Sequence, residues 1–178
     1  MPTLITPRLV CTPIIEEDWP FFLALQQDPQ VMRYVCDHRP EASIRDAFTS
    51  RLPAWAPGSE HWLCLVVCER GRQTPLGVTG YIHREADCGE VGFLFAPQAQ
   101  GKGYGLESLH AVCRYAFTEG GIRRLTAAVT AGNVASKRLL EKTGFIQEGE
   151  LRDAFWLGGR WQNDWLFGLL RREYGESR

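Results

Sequence analysis

An α/β fold around one mixed, mostly antiparallel sheet is what this chain predicts, and three observations predict it. Runs of β-branched and aromatic residues, each bounded by turn residues, fill the middle of the chain. A helical spacing of apolar residues over 106–117 follows one of these runs directly. Near the end, Gly158-Gly159 separates two extended segments, a hairpin signal. With 178 residues, the chain suits one domain spanning 1–178, a size at which folding buries roughly 70% of the surface of the unfolded chain.

Residues 8–14 read as the first strand, and residues 16–27 as a helix with Trp19, Phe22, Leu23 and Leu25 on its apolar side. Residues 29–35 make a short helical piece. Ser43 caps a helix running to about Trp55, where Pro57-Gly58 ends it. Strands then dominate at 61–68, 76–84 and 88–95, separated by Gly71-Arg72-Gln73-Thr74-Pro75 and by Glu85-Ala86-Asp87, which predicts an antiparallel meander. Leu106, Leu109, Val112, Cys113, Ala116 and Phe117 recur at three- and four-residue steps on one helix face, closed by Gly120-Gly121. The extended segment 124–130 is a parallel neighbour of 88–95 through a right-handed crossover. With strands 151–157 and 160–170 at the end, the sheet has about seven strands flanked by helices.

Between the run Glu90-Val-Gly-Phe-Leu-Phe95 and the helix lies Gln100-Gly101-Lys102-Gly103-Tyr104-Gly105. Glycines in such a turn let backbone N–H groups converge on an anion, and the helix N-terminus adds about half a positive charge, so a pyrophosphate fits. Spacing separates the phosphate-binding classes. A Walker A loop needs a hydroxyl after its lysine, but Gly103 follows Lys102. A dinucleotide fingerprint spaces its glycines G-x-G-x-x-G and carries an acidic residue about twenty positions on; here they fall G-x-G-x-G and that residue is missing. A plain glycine-rich connection is the structural alternative. Further on, Asn133 stands where a helix N-cap belongs, Leu139 and Leu140 face inward, and Gly144 suits the left-handed position that ends a helix.

The pattern Q-x-x-G-x-G at 100–105 resembles the acetyl-coenzyme A pyrophosphate loop of the GNAT acetyltransferases. The segment Gly132-Asn133-Val-Ala-Ser136 through Gly144-Phe145 resembles their second signature. Thr6-Pro7-Arg8-Leu9, Tyr115-Ala116-Phe117, Asn133-x-x-Ser136 and Asp164 resemble the RimJ/RimL-like branch, and the likeness covers nearly the whole chain. It implies a GNAT fold whose sheet splays at the central parallel strand pair. It also implies an N-acetyltransferase that moves the acetyl group of acetyl-CoA to a primary amine, a protein N-terminus or a small molecule, through a tetrahedral intermediate.

That chemistry must deprotonate an ammonium, hold an oxyanion and protonate a thiolate. The resemblance places the thioester beside Phe93, Leu94 and Phe95, whose backbone would pair with the pantetheine arm while the side chains pack. By period-two alternation Glu90 shares a face with Gly92 and Leu94, which makes it the leading candidate for the base; a salt-bridge partner is its structural alternative. Glu148, Glu150 and Asp153 are alternatives, and Asp164 fixes the last hairpin or orients the amine. Many GNAT members carry a Tyr seven residues after the Asn, but here it is Leu140, so Ser136 becomes the candidate proton donor, against a serine bonding to its own helix. Trp19, Trp55, Trp156, Trp161 and Trp165 are candidates for a pocket rim, with core packing as the alternative. Lys102, Lys137, Arg138 and Lys142 lie near the expected phosphates.

A formal charge of −1 argues against a general nucleic-acid binder. No signal core or membrane span is legible, so a cytoplasmic protein is expected. Six cysteines without a CxxC pair read as reduced thiols, and four scattered histidines indicate no metal. The resemblance makes a homodimer plausible. The competing functional class is a noncatalytic acyl-CoA-binding module.

Overall fold

The computed structural model describes residues 1–176. Eight strands form one sheet: β1 (Leu4–Ile5), β2 (Leu9–Pro13), β3 (Leu63–Glu69), β4 (Pro75–Arg84), β5 (Cys88–Phe95), β6 (Arg124–Thr130), β7 (Ile146–Leu157) and β8 (Arg160–Leu170). Their order across the sheet is β1-β2-β3-β4-β5-β6-β8-β7. Every neighbouring pair is antiparallel except β5 and β6. This is the mixed, mostly antiparallel α/β sheet expected, with one strand more than the seven predicted. The extra strand is β1, two residues long and too short to give a periodic signal.

Six helices accompany the sheet: α1 (Trp19–Gln27), α2 (Pro29–Met32), α3 (Glu41–Thr49), α4 (Tyr104–Thr118), α5 (Val134–Thr143) and α6 (Arg171–Glu176). Three of the expected helices are shorter than the sequence suggests, the 29–35 piece keeping only α2. The 16–27 segment is split, since Glu16–Asp18 is a 3-10 turn and Pro20 opens the α-helix proper. Ser43 is not a cap: α3 begins after Pro40 with Glu41 in its first turn, and it stops at Thr49. There the Ala47 carbonyl is taken by Ser50 Oγ and Arg51 Nη1, both at 2.7 Å, which satisfies the last turn without further helix. Trp55 therefore lies in a connecting segment, buried edge-on against Tyr81 at 5.5 Å.

The sheet separates two cores. One joins β2, β3, β6 and β8 to α4 and α5, with Leu9, Leu65, Leu109, Leu125, Leu140 and Phe167 almost wholly buried. The other packs Phe22, Leu25, Ile44 and Phe48 of α1 and α3 on Val66 and Val78. Among the described residues no helix is long and apolar enough to cross a membrane.

The feature that builds a site is the β5–β6 contact. The two strands pair only at Cys88 with Arg124, Gly89 with Leu125, and Glu90 with Thr126. Past that point β5 continues to Phe95 and β6 to Thr130, each held on its far side by β4 or β8. The strands part, and among the described residues nothing pairs with the facing edges.

Candidate active site

A cleft of ≈ 520 Å³ opens where β5 and β6 separate. Val91, Gly92, Phe93 and Leu94 form one wall, and Ala127 to Thr130 the other. Asn133, Ser136 and Asp164 close one end, while Phe22, Gln26, Met32, Arg39, Arg51 and Trp62 come from the helical side. Gly92 leaves the room that Trp62 occupies: a Cβ there would stand 3.1 Å from the indole.

Asn133 caps α5, its Oδ1 accepting the Ser136 amide at 3.2 Å. That bond uses the Ser136 backbone and leaves its hydroxyl to the cleft. The expected C-terminal glycine holds too, since Gly144 has φ 111. Asp164 sits on β8 opposite Thr130, and burial raises its carboxyl above the usual range. Lys137 lies over the Trp165 ring at 4.7 Å, and Trp165 Nε1 donates to Glu150 at 2.7 Å.

The glycine-rich loop lies outside the cleft lining, at the start of α4. Gly101 and Gly103 take φ 76 and φ 80, which lets the chain turn into the helix without strain. Gln100 Nε2 donates to the Phe95 carbonyl at 3.1 Å and ties the loop to the end of β5. Among the described residues the N–H groups of Gly103, Tyr104, Gly105 and Leu106 find no backbone acceptor, as expected for a first helical turn. Tyr104 is buried and its hydroxyl bonds Glu69, so that side chain is a structural anchor. The loop is braced from the N-terminus: Arg8 Nη1 donates to the Lys102 carbonyl at 2.9 Å, and the Arg8 guanidinium covers the Tyr104 ring at 4.7 Å.

The structure thus brings Phe93, Leu94, Asn133, Ser136 and Asp164 to one cleft, with Phe95 and residues 100–105 following at the end of β5. Glu90 is not brought there. It lies on the last paired residue before the strands part, does not line the cleft, and is held by Arg84 Nε and Nη2 at 2.9 and 2.8 Å. Of the other carboxylates, Glu148 is engaged by Arg124 at 2.7 and 2.8 Å, and Glu150 accepts from Asn163 and Trp165. Asp153 stands in an exposed bulge with φ 48. Trp19 packs on Phe48, Trp55 is core, and Trp156 and Trp161 form an exposed edge-to-face pair, so none of these lines the cleft. The tryptophan that does is Trp62, which the sequence reading omitted. Arg39 and Arg51 were missed as well.

Residues 8–146 match the family model described as acetyltransferase (GNAT) domain. The uncharacterized N-acetyltransferase p20 of Bacillus licheniformis is 29% identical over 98% of this chain and 99% of its own length. A spermidine N(1)-acetyltransferase of Vibrio cholerae is 32% identical over 53% of each chain. Among solved structures, a GNAT-family acetyltransferase from Bacillus anthracis superposes with a TM-score of 0.84 at 23% identity, covering 97% of this chain and 100% of that one. The Vibrio cholerae spermidine N-acetyltransferase in complex with CoA and spermine does so with 0.82 at 21%, covering 95% and 99%. At these identities the two structures share the fold.

Proposed function

The chain belongs to the GNAT acetyltransferase family, and we propose that it moves the acetyl group of acetyl-CoA directly onto a primary amine at the split between β5 and β6. The observation that carries this reading is the split itself. A parallel pair that stops after three residues leaves backbone donors and acceptors of β5 beside a cleft, next to a glycine-rich helix start. Such an arrangement fits an extended thioester arm and its pyrophosphate.

The family draws its acetyl group from acetyl-CoA, which supplies a thioester carbonyl and a thiol leaving group. In this reading the backbone of Phe93, Leu94 and Phe95 lies along the arm, and an N–H of this segment polarises the carbonyl. The amides of Gly101, Lys102, Gly103, Tyr104 and Gly105 face the pyrophosphate, while Gln100 holds the loop to Phe95. Asn133 sets the start of α5 and so aims Ser136, whose hydroxyl donates to the departing sulfur.

For the base, the cleft favours Asp164. Its carboxyl lines the cavity, forms no ion pair among the described residues, and has a raised pKa that makes it a better proton acceptor than an ordinary aspartate. Glu90, the first choice from strand periodicity, is already neutralised by Arg84 and stands outside the cleft lining.

Within the family the chain sits beside the RimJ/RimL-like branch, supported by the opening Thr6-Pro7-Arg8-Leu9, which braces the loop, and by Asn133-x-x-Ser136. A protein N-terminus and a small amine are both acceptors consistent with that branch and with the polyamine substrate in the names of the Vibrio cholerae relatives. Edge strand β7 exposes Ile146, Leu151 and Trp156, which supports a homodimer, and the net charge of −1 supports the absence of general nucleic-acid binding. Thiol release and an acetylated product from acetyl-CoA with a panel of primary amines tests the reading. Binding of acetyl-CoA without turnover of any amine supports the noncatalytic module instead.

A further inference from the structure

The charge of the cleft does not suit every amine. Arg39 and Arg51 line it together with a single carboxylate, Asp164. Among the described residues neither arginine forms an ion pair. Their hydrogen bonds go to neutral groups: Arg51 Nη1 donates to the Ala47 carbonyl at 2.7 Å, and Arg39 Nη2 to Gln26 Oε1 at 2.6 Å. The Arg51 guanidinium also lies near the Phe22 and Trp62 rings, at 5.6 and 5.9 Å, which hold it in place and displace water. Burial lowers its pKa, the neighbouring Cys64 thiol opposes that shift, and Arg39 adds to it. Two cations kept close in a partly buried wall without a counter-ion are costly unless an anion arrives.

The glycine-rich loop lies outside this cleft lining, so the two arginines do not belong to the pyrophosphate contacts.

Resting on the acetyl-transfer reading above, we propose that the acceptor is an amine that also carries an anionic group, carboxylate or phosphate, bound by Arg51 and Arg39 while its amine faces Asp164. The cleft then matches a bipolar molecule charge for charge. A polyamine, which brings only cations, is disfavoured by the two arginines. A protein N-terminus is disfavoured because its first residue has spent its carboxylate in a peptide bond.

The test measures thiol release from acetyl-CoA with matched acceptors: L-leucine and L-phenylalanine, their amides, the corresponding decarboxylated amines, spermidine, and O-phosphoethanolamine against ethanolamine. The amide also stands in for a protein N-terminus, and the phosphoethanolamine arm separates phosphate from carboxylate. The expected result is a kcat/KM at least about tenfold higher for an anion-bearing member than for its neutral counterpart, as a charge-assisted hydrogen bond confers. Arg51→Lys and Arg39→Lys should each reduce that ratio about tenfold, chiefly by lowering kcat/KM for the anion-bearing member. Arg39 lies in the connection between α2 and α3 and donates to Gln26, so Arg39→Lys should nearly keep the melting temperature and isolates binding from folding. Preference for spermidine, the amides or the simple amines, or a ratio untouched by both variants, overturns this inference and leaves acetyl transfer standing. Thiol release with no acceptor at all overturns the acetyl-transfer reading, and this inference with it.

Discussion

Arg8 and Glu107 tie the first long strand to the helix that follows the glycine-rich loop: Arg8 Nε donates to Glu107 Oε2 at 2.7 Å and the Arg8 amide to Oε1 at 2.8 Å. Thr6 Oγ1 adds a third bond at 2.6 Å. Burial by itself would raise the Glu107 pKa, but these donors together hold it below the usual glutamate range. Because the same guanidinium also takes the Lys102 carbonyl, its removal should loosen the loop more than the fold. Arg8→Ala is expected to weaken coenzyme A binding by about tenfold, the value of one charge-assisted bond, measured by titration calorimetry. The ion pair is half exposed, so the melting temperature should drop by no more than about 4 °C.

Asp164→Asn and Glu90→Gln separate the two candidate bases. Loss of a general base costs about a hundredfold or more in rate. That loss in kcat/KM is expected for Asp164→Asn. For Glu90→Gln the expected change is within about threefold, the scale of an exposed ion pair lost. The reverse ranking in a steady-state thiol-release assay would return the role to Glu90.

The raised pKa of Asp164 also fixes the sign of a stability change. A carboxyl whose pKa is higher folded than unfolded binds more protons in the native state through that window, so stability falls as pH rises through it. Above the window the buried charge is a standing cost. Asp164→Asn should therefore melt higher than the parent at pH 7, with the gap closing as the pH falls through the raised folded pKa and gone below the ordinary aspartate pKa. A scan of melting temperature against pH checks this.

Asn133 and Ser136 should come apart in experiment. Asn133→Ala removes an N-cap worth about 1 kcal/mol, so the melting temperature should fall by about 2 to 4 °C. Ser136 contributes its amide to that cap and keeps its hydroxyl for the cleft, so Ser136→Ala should leave the melt unchanged while kcat falls by about tenfold. A joint loss of stability and rate in Ser136→Ala would mean the hydroxyl serves the helix.

What was legible in the sequence follows from where the punctuation is strong. Strands 88–95 and 124–130 were read to the residue because Pro97 and the Gly120-Gly121 pair bound the helix between them. Asn133 and Gly144 likewise announced α5 at both ends. Glu90 shows the limit of periodicity: alternation gives the face of a strand, but the depth at which β5 and β6 stop pairing is set by tertiary packing. Trp62, Arg39 and Arg51 come from connections and helix ends with no repeat of their own. Their meeting in the cleft depends on how α1 and α3 seat on the sheet, and on Gly92 giving way to an indole, neither of which is written in local sequence.

The central claim is that the split and the glycine-rich loop form one coenzyme A site, and a thermal melt with acetyl-CoA, free coenzyme A, ATP and NAD in parallel tests it most directly. At a hundredfold excess over Kd, binding stabilises by about 2.7 kcal/mol, which for a chain of this size raises the melting temperature by about 5 to 10 °C. A shift of that size with both coenzyme A forms, and none with ATP or NAD, is the expected result. No shift from either coenzyme A form at millimolar concentration would contradict the claim and reduce the loop to a structural turn.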